Sequence, residues 1–195
     1  MSIITKVLYK DLQRCQVEEI PDGLSRATIL ETFHNHDLMI RSIYPGSHIK
    51  ESTSISSSST KFSSLNPKSN VTTVCTLTSL EDGIGMVTDL GLWMEINCRW
   101  TVHDRVESPP LGGDKALTRN VARIGSLYLL EEAAFHIIRP FERFARNDRQ
   151  QSHAMEGILR LLQRLKSGEV SAVGLTAGDE SDVDNIVEDA KPKRE

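Results

Sequence analysis

Residues 92–102 constrain the fold more than any other segment, because their side chains alternate between two kinds without a break. One set is large and apolar, the other mostly polar. The apolar set is Leu92, Met94, Ile96, Cys98, Trp100 and Val102. Consecutive side chains of a β-strand point to opposite faces, so this pattern predicts a strand with one buried face. The apolar face forms either part of a packed core or the wall of a ligand cavity, and the sequence leaves both open.

The chain as a whole indicates one domain with a tail. Its 195 residues are enough to bury a core and still leave a pocket. A net charge of −4 argues against a general nucleic-acid binder, which needs a basic face. No apolar run approaches the roughly 20 residues that span a bilayer, and the N-terminus lacks a signal-peptide core. We therefore expect a cytoplasmic protein with no membrane span.

The cysteines and histidines do not predict a metal site. Cys15, Cys75 and Cys98 are widely spaced, which indicates free thiols in a reducing compartment. In the segment from His34 to Asp37 the histidines are two residues apart, so on a helix they point in different directions. The sequence carries no P-loop, dinucleotide fingerprint, nucleophile elbow or HExxH motif, so we expect no metal and no cofactor.

The order of predicted elements is a strand region, a helix, several antiparallel strands and a long final helix. In chain order, the pattern predicts extended chain over 3–11 and 13–19 and a helix from the N-cap Ser25 to about Ile40. Strands follow over 71–80, 84–89, 92–102 and 126–138, and then a helix from Pro140 to Lys166. A curved antiparallel sheet that grips a long helix buries both apolar faces. We therefore predict an α+β domain over residues 1–167 with an internal apolar cavity.

Two polar segments are predicted to lie outside the core. Residues 52–70 are rich in serine and residues 168–195 carry a net negative charge. Neither segment has enough apolar side chains to offset the entropy lost on ordering. We expect a flexible surface loop and a disordered tail, both dispensable for folding.

Four segments together resemble a known family. They are Ile20–Thr28, which opens a helix; His36–Arg41; Leu90–Val102, with its Cys-Arg-Trp-Thr-Val end; and Gly125–Glu132 before the long helix. They resemble an uncharacterised fungal family with a START/polyketide-cyclase-like (SRPBCC) helix-grip fold. The family pattern commonly has a basic residue where Leu130 stands, so its polar chemistry is not carried over. The resemblance implies a binder of an apolar small molecule.

Residues 126–138 supply the predicted polar chemistry. Tyr128, Glu132 and His136 share one strand face, and we predict them as catalytic residues if that face turns inward. Glu131 lies on the other face, with Leu127, Leu129, Ala133 and Phe135, and that face is nearly as apolar. An inward glutamate would have a raised pKa and could act as an acid or base. The predicted ligand-binding residues are Phe33, Met94, Cys98, Trp100, Phe144 and Met155.

The preferred function is a cofactor-free accessory enzyme of fungal secondary metabolism. It would bind an apolar polyketide- or terpene-like substrate and direct its cyclisation, isomerisation or pericyclic (Diels-Alder type) reaction, chemistry that needs shape more than a nucleophile. The alternative is a non-catalytic carrier of a lipid or other hydrophobic ligand, and a third possibility is a peptide-binding module. The sequence does not fix the substrate, its stereochemistry or the oligomeric state.

Overall fold

The computed structural model of the protein describes residues 9–91, 94–104, 127–141 and 148–172. Its strands are β1 (Tyr9–Glu19), β2 (His48–Ser56), β3 (Ser59–Asn66), β4 (Val71–Leu80), β5 (Gly83–Asp89), β6 (Met94–Asp104) and β7 (Leu127–Ile138). Its α-helices are α1 (Arg26–His34), α2 (His36–Ile43) and α3 (Asp148–Ser167), and a 3₁₀ turn covers Arg139–Phe141.

The described strands form one antiparallel sheet in the order β1-β7-β6-β5-β4-β3-β2. The first strand lies beside the last, and β1 and β2 are the two edges. Residues of all three helices share one apolar core with one face of the curved sheet, here called the concave face, and the opposite face is the convex face. This arrangement confirms the predicted α+β helix-grip fold.

The predicted alternation on β6 is confirmed where the strand is described. Trp100 and Val102 are fully buried and Arg99 is exposed, but Thr101, on the same face as Arg99, is also buried at 3%. Trp100 lies opposite Glu131 on β7 and Ile84 on β5, so these three side chains form one row across the concave face. Residues 92 and 93, which the prediction included, lie outside the described residues.

The single helix predicted from Ser25 to Ile40 is wrong, because the chain forms two helices that meet at Asn35. Ser25 is the predicted N-cap: its hydroxyl accepts from the Thr28 amide at 3.1 Å. The Asn35 carboxamide accepts from the Leu38 amide at 3.2 Å and so begins α2. An asparagine side chain that bonds to the backbone in this way favours a cap over a helix interior.

The flexible loop predicted over 52–70 is also wrong. Most of this segment forms the β2–β3 hairpin, which turns at Ser57 and Ser58. Phe62 is fully buried and Ser64 is nearly so, and both lie on the inward side of β3. β2 is an edge strand with polar, exposed side chains and two irregularities in its register, features that protect an edge from pairing with other chains. Backbone pairing and one buried aromatic replace the missing apolar side chains.

The C-terminal part of the domain differs from the prediction at both ends. Pro140 lies in the 3₁₀ turn, α3 is described from Asp148, and the predicted helical residues 142–147 lie outside the described residues. Val170, three residues beyond the predicted boundary, is 5% exposed and belongs to the core. Residues 173–195 also lie outside the described residues.

A glycine allows α3 to approach α2 closely. A Cβ atom built on Gly157 would lie 2.0 Å from the Ser42 carbonyl oxygen. On either side of it, Met155 and Ile158 are buried in the core. The contact between the two helix backbones therefore depends on the absence of a side chain at position 157.

We predict that Gly157→Ala destabilises the protein. Alanine favours a helix by about 1 kcal/mol over glycine, but the added methyl group overlaps a backbone oxygen, and overpacking costs about 1–3 kcal/mol. The expected result is a thermal midpoint lower by several degrees. Glu156→Ala, on the exposed side of the same turn, is the control and should leave the midpoint almost unchanged. A more stable Gly157→Ala variant would contradict the close approach.

Candidate functional site

The concave face of the sheet carries two separate apolar clusters. The main core contains residues of both the helices and the sheet, including Phe33, Met39, Trp100, Val102, Leu129, Met155 and Ile158. The satellite cluster is built from Ala133, Phe135 and Ile137, with Leu12, Met94, Ile96 and Cys98 packed against it. Every described residue of the satellite cluster comes from β1, β6 or β7. Leu12, Met94 and Ile96 are only partly buried, so the satellite cluster presents accessible apolar surface.

A buried carboxyl group separates the two clusters. Along the concave face of β7, Leu129 belongs to the main core, Ala133 belongs to the satellite cluster, and Glu131 lies between them. Glu131 is 2% exposed, and its Oε2 accepts a hydrogen bond of 2.8 Å from the Trp100 indole nitrogen.

The environment of Glu131 favours its neutral form. Burial raises the pKa of the carboxyl because it disfavours the charged form, and the nearby Glu18 acts in the same direction. The Trp100 hydrogen bond and the positive charge of Arg14 act against this rise. The net direction is upward, which makes Glu131 a carboxyl group able to donate a proton at a higher pH than an exposed glutamate.

A line of polar side chains on β1 faces the same region. Arg14, Gln16 and Glu18 lie opposite Ala133, Glu131 and Leu129 respectively, so they share the concave side. The Arg14 guanidinium donates to the Gln16 side chain, and the Gln16 amide donates to Glu18 at 2.8 Å. This chain of hydrogen bonds places one cation and one carboxylate beside Glu131.

The predicted ligand-binding residues are distributed over both clusters. Phe33, Trp100 and Met155 are fully packed in the main core. Met94 contributes to the satellite cluster, and Cys98 contacts both clusters. Phe144 lies outside the described residues. The binding roles of these residues stay predictions, and among the five described, Met94 and Cys98 are the two with accessible surface.

The structure overturns the orientation assumed for the predicted catalytic residues. Tyr128, Glu132 and His136 share a strand face, but that face is convex. Tyr128 is buried there, Glu132 is exposed, and His136 is partly exposed. The register with β6 decides this, because Trp100 lies opposite Glu131 and not Glu132. The alternative orientation, with Glu131 turned inward, is the one that the structure has.

On the convex face, two histidines take part in stacking contacts. His136 Nδ1 lies 2.8 Å from Asp11 Oδ1, and the His136 ring stacks on Tyr9 with 4.6 Å between centroids. His103 stacks on Tyr128 with 5.2 Å between centroids. These contacts join β1, β6 and β7 across the sheet. They give His136 a structural role in joining the strands. Its catalytic role stays a prediction.

The segment His34–Asp37 joins the helices to the sheet. His34 Nε2 lies 2.9 Å from the Leu80 carbonyl oxygen. Both ring nitrogens of His36 are bonded, Nδ1 to Thr60 at 2.9 Å and Nε2 to Ser79 at 3.0 Å. Among the residues that the structure describes, no three His, Cys, Asp or Glu side chains are grouped so as to hold a metal ion.

Cysteine chemistry at the site is suppressed by burial. Cys15, Cys75 and Cys98 are free thiols. Burial raises the pKa of Cys75 and of Cys98 to about 12, and the carboxyl of Glu131 adds to the rise at Cys98. A thiol with such a pKa is not a nucleophile at neutral pH. Cys98 therefore contributes to the site as an apolar side chain.

Sequence reasoning missed the polar line on β1. The signal was present, because Arg14, Gln16 and Glu18 occupy alternate positions that follow Leu12 on the same face. Alternating polar residues normally indicate a solvent-facing side of a strand, so this pattern predicts that these side chains face solvent and not the interior. Only the pairing of β1 with the buried β7 turns these side chains toward the carboxyl.

Comparison with known proteins supports the fold. No protein-family model and no curated protein sequence matches the chain. A protein from Rhizobium leguminosarum matches in structure at 5% identity and a TM-score of 0.50, covering 80% of this chain and 97% of its own. Ara h 8.0201 is similar at 7% identity and a TM-score of 0.47, and DR_A0006 from Deinococcus radiodurans at 10% and 0.47; each covers 80% of this chain and 98% of its own.

These identities are too low to carry more than fold. The likeness to the Rhizobium protein is one of fold alone. The single antiparallel sheet and the final helix of this chain define a helix-grip architecture. None of the described helices has the length and apolar character needed to cross a membrane.

We predict that His36 makes the protein less stable in acid. Burial and the neighbouring His34 lower the pKa of His36, so the unfolded chain binds a proton more readily than the folded one. This contribution to stability is complete above the unfolded pKa of about 6.5 and is lost as pH falls through the lower folded pKa. Urea unfolding of the wild type and of His36→Gln, between about pH 8 and about pH 5, measures it.

The glutamine side chain of that variant does not titrate, so the variant should lose less stability than the wild type over this range. The exposed His153 provides the matched control, and His153→Gln should behave like the wild type. If the wild type and His36→Gln lose the same free energy of unfolding between these pH values, protonation of His36 is not the cause of the loss.

Proposed function

We propose that the protein binds an apolar small molecule on the satellite cluster of the concave face. The observation that carries the proposal is the separation of this cluster from the main core by a buried polar group. A domain usually has one contiguous apolar core with smaller satellite clusters beside it, so what distinguishes this cluster is the buried carboxyl at its border. Here Leu12, Met94 and Ile96 face inward from the sheet and keep accessible surface. A ligand that covers them would bury apolar area at about 25 cal/mol per Å².

The polar groups beside the cluster supply orientation. Small-molecule sites in proteins are mostly apolar, with a few well-placed polar side chains that fix the ligand. Glu131 and the hydrogen-bonded line from Arg14 to Glu18 lie at one end of the satellite cluster. A ligand on the cluster would therefore meet apolar side chains along its body and polar groups at one end.

We predict that the hydrocarbon probe diphenylhexatriene binds this site. Its fluorescence increases in an apolar environment, so titration gives the Kd directly. Ile96→Ser removes apolar surface from the satellite cluster. Covering the accessible part of one such side chain contributes about 1 kcal/mol to the free energy of binding, so the Kd should rise by about threefold to tenfold. Thermal melting checks that the variant stays folded.

Val87→Ser is the matched control. Val87 is a β-branched residue on the adjacent strand β5, is 42% exposed, and lies opposite Asn97 on the convex side. Its replacement should leave the Kd unchanged. The proposal fails if the wild type does not bind the probe, or if Val87→Ser weakens binding as much as Ile96→Ser does.

The finer proposal is an accessory enzyme of fungal secondary metabolism that cyclises, isomerises or directs a pericyclic reaction of its bound substrate. Glu131 favours this proposal over a pure carrier, because a buried carboxyl with a raised pKa at the edge of an apolar site is suited to general acid catalysis. A carrier of a hydrophobic ligand would need the apolar surface but not a group able to transfer a proton.

We predict that catalysis depends on Glu131 and not on the convex face. Candidate polyketides and terpenoids that displace diphenylhexatriene would be incubated with the protein and their conversion followed by mass spectrometry. Glu131→Gln should lower turnover about tenfold or more, equal to about 1.4 kcal/mol, whereas His136→Ala should not. A loss of turnover in His136→Ala but not in Glu131→Gln would show that the catalytic residues lie on the convex face. Tight binding without conversion would favour the carrier.

A further inference from the structure

We infer that the ligand carries a carbonyl group and that Glu131 donates a hydrogen bond to it. This inference rests on the proposed binding site and names the class of molecule it accepts. It follows from the way in which Trp100 holds the carboxyl. It selects ketones, quinones, lactones and esters with an apolar body over plain hydrocarbons and over carboxylic acids.

The Trp100 hydrogen bond fixes where a proton on Glu131 must lie. An indole N–H is a donor only, and at 2.8 Å it points at Oε2. When Glu131 is neutral, Oε2 therefore acts as the acceptor oxygen, and the acid proton lies on Oε1. No described residue is hydrogen-bonded to Oε1. The neutral carboxyl thus presents an O–H donor whose partner has to be an acceptor.

The neighbours of Glu131 toward the satellite cluster on β7 and β6 have small side chains. The next concave-face residue along β7 is Ala133, whose side chain is a single methyl group, and beyond it lies Phe135. From β6, Cys98 contacts both clusters at the same level as Ala133. At this level β7 and β6 carry small side chains and β1 carries Arg14. A flat apolar molecule on the satellite cluster would therefore bring its polar atom to the carboxyl from the β6–β7 side.

The charges that face Glu131 favour a neutral acceptor. Among the described residues, the titratable or charged groups facing it are Arg14 and Glu18 from β1 and Cys98 from β6. The Arg14 guanidinium is already bonded to Gln16, and Glu18 repels a second negative charge. A carboxylate ligand would add a buried charge beside two acidic side chains, which is costly. A carbonyl oxygen accepts the proton's hydrogen bond without adding charge.

Fluorenone and fluorene test the inference, because they share one rigid three-ring skeleton and differ in a carbonyl group. Each is titrated as a competitor of diphenylhexatriene. In the wild type, fluorenone should bind about three- to tenfold more tightly than fluorene, the effect of one net hydrogen bond. Fluorene-9-carboxylate should bind more weakly than fluorenone. Tighter binding of the carboxylate would overturn the inference in favour of an anion site at Arg14.

Two substitutions identify the donor. Glu131→Gln keeps both an acceptor for Trp100 and an N–H donor for the ligand, so the preference for fluorenone should survive and should not change with pH. Glu131→Leu lacks the donor, so this variant should bind fluorenone and fluorene with about equal affinity. In the wild type, the preference should be present at low pH and disappear as pH rises and Glu131 loses its proton.

The outcomes separate this inference from the proposed function. If no competitor displaces the probe, or the probe does not bind, the binding site itself is wrong. If fluorene and fluorenone displace it equally in the wild type, the site stands and the carbonyl inference fails. Melting curves show whether Glu131→Leu is folded. If it is unfolded, the Glu131→Gln variant and the pH series of the wild type still test the donor role of Glu131. Equal affinity of the wild type for fluorene and fluorenone would overturn that role. So would a preference of the wild type for fluorenone that does not change with pH.

Discussion

The hydrogen bond between Trp100 and Glu131 is the interaction on which the organisation of the concave face depends. A carboxyl group withdrawn from water needs a partner, and leaving one without it costs about 1–3 kcal/mol. The indole supplies that partner from the neighbouring strand, and the large ring at the same time fills the main core. One residue thus donates to Oε2 of the carboxyl and fills the apolar cluster beside it.

The same contact divides the sheet into two regions with different roles. On one side, helix and sheet side chains pack fully, with Gly157 allowing α3 to approach the backbone of α2. On the other side, Leu12 of β1 and Met94 and Ile96 of β6 keep accessible surface beside the buried apolar residues of β7. A protein built only for stability gains most from continuous packing, because each gap in a core loses contacts. The division is therefore the feature that favours a binding function.

Edge strand β1 contributes polar groups that a central strand would not tolerate easily. Arg14, Gln16 and Glu18 bond to one another along the strand and face the interior from the rim of the sheet. At the opposite edge, the polar side chains of β2 are exposed and its register is irregular. Both edges are thus protected from pairing with other chains, but only β1 brings its polar groups to the site.

Several elements could be predicted from the sequence because their signals are local. The strands predicted over 71–80 and 84–89 form the β4–β5 hairpin, which turns at Glu81 and Asp82. Ser25 caps α1 through its own hydroxyl. The break at Asn35 and the pairing of the Ser-rich segment were missed. A cap residue looks like any polar residue within a helix, and a hairpin stabilised by backbone pairing needs few apolar side chains.

The sequence by itself determined that β6 buries its Trp100 face, since only one of the two faces is continuously apolar. It did not determine which face of β7 turns inward. Tyr128, Leu130, Ala134 and their neighbours are nearly as apolar as the opposite set, and each set contains one glutamate. Tertiary structure decided, because the register with β6 places Glu131 opposite Trp100 and the register with β1 places it opposite Gln16. Register is a relation between distant segments, and no pattern within one strand contains it.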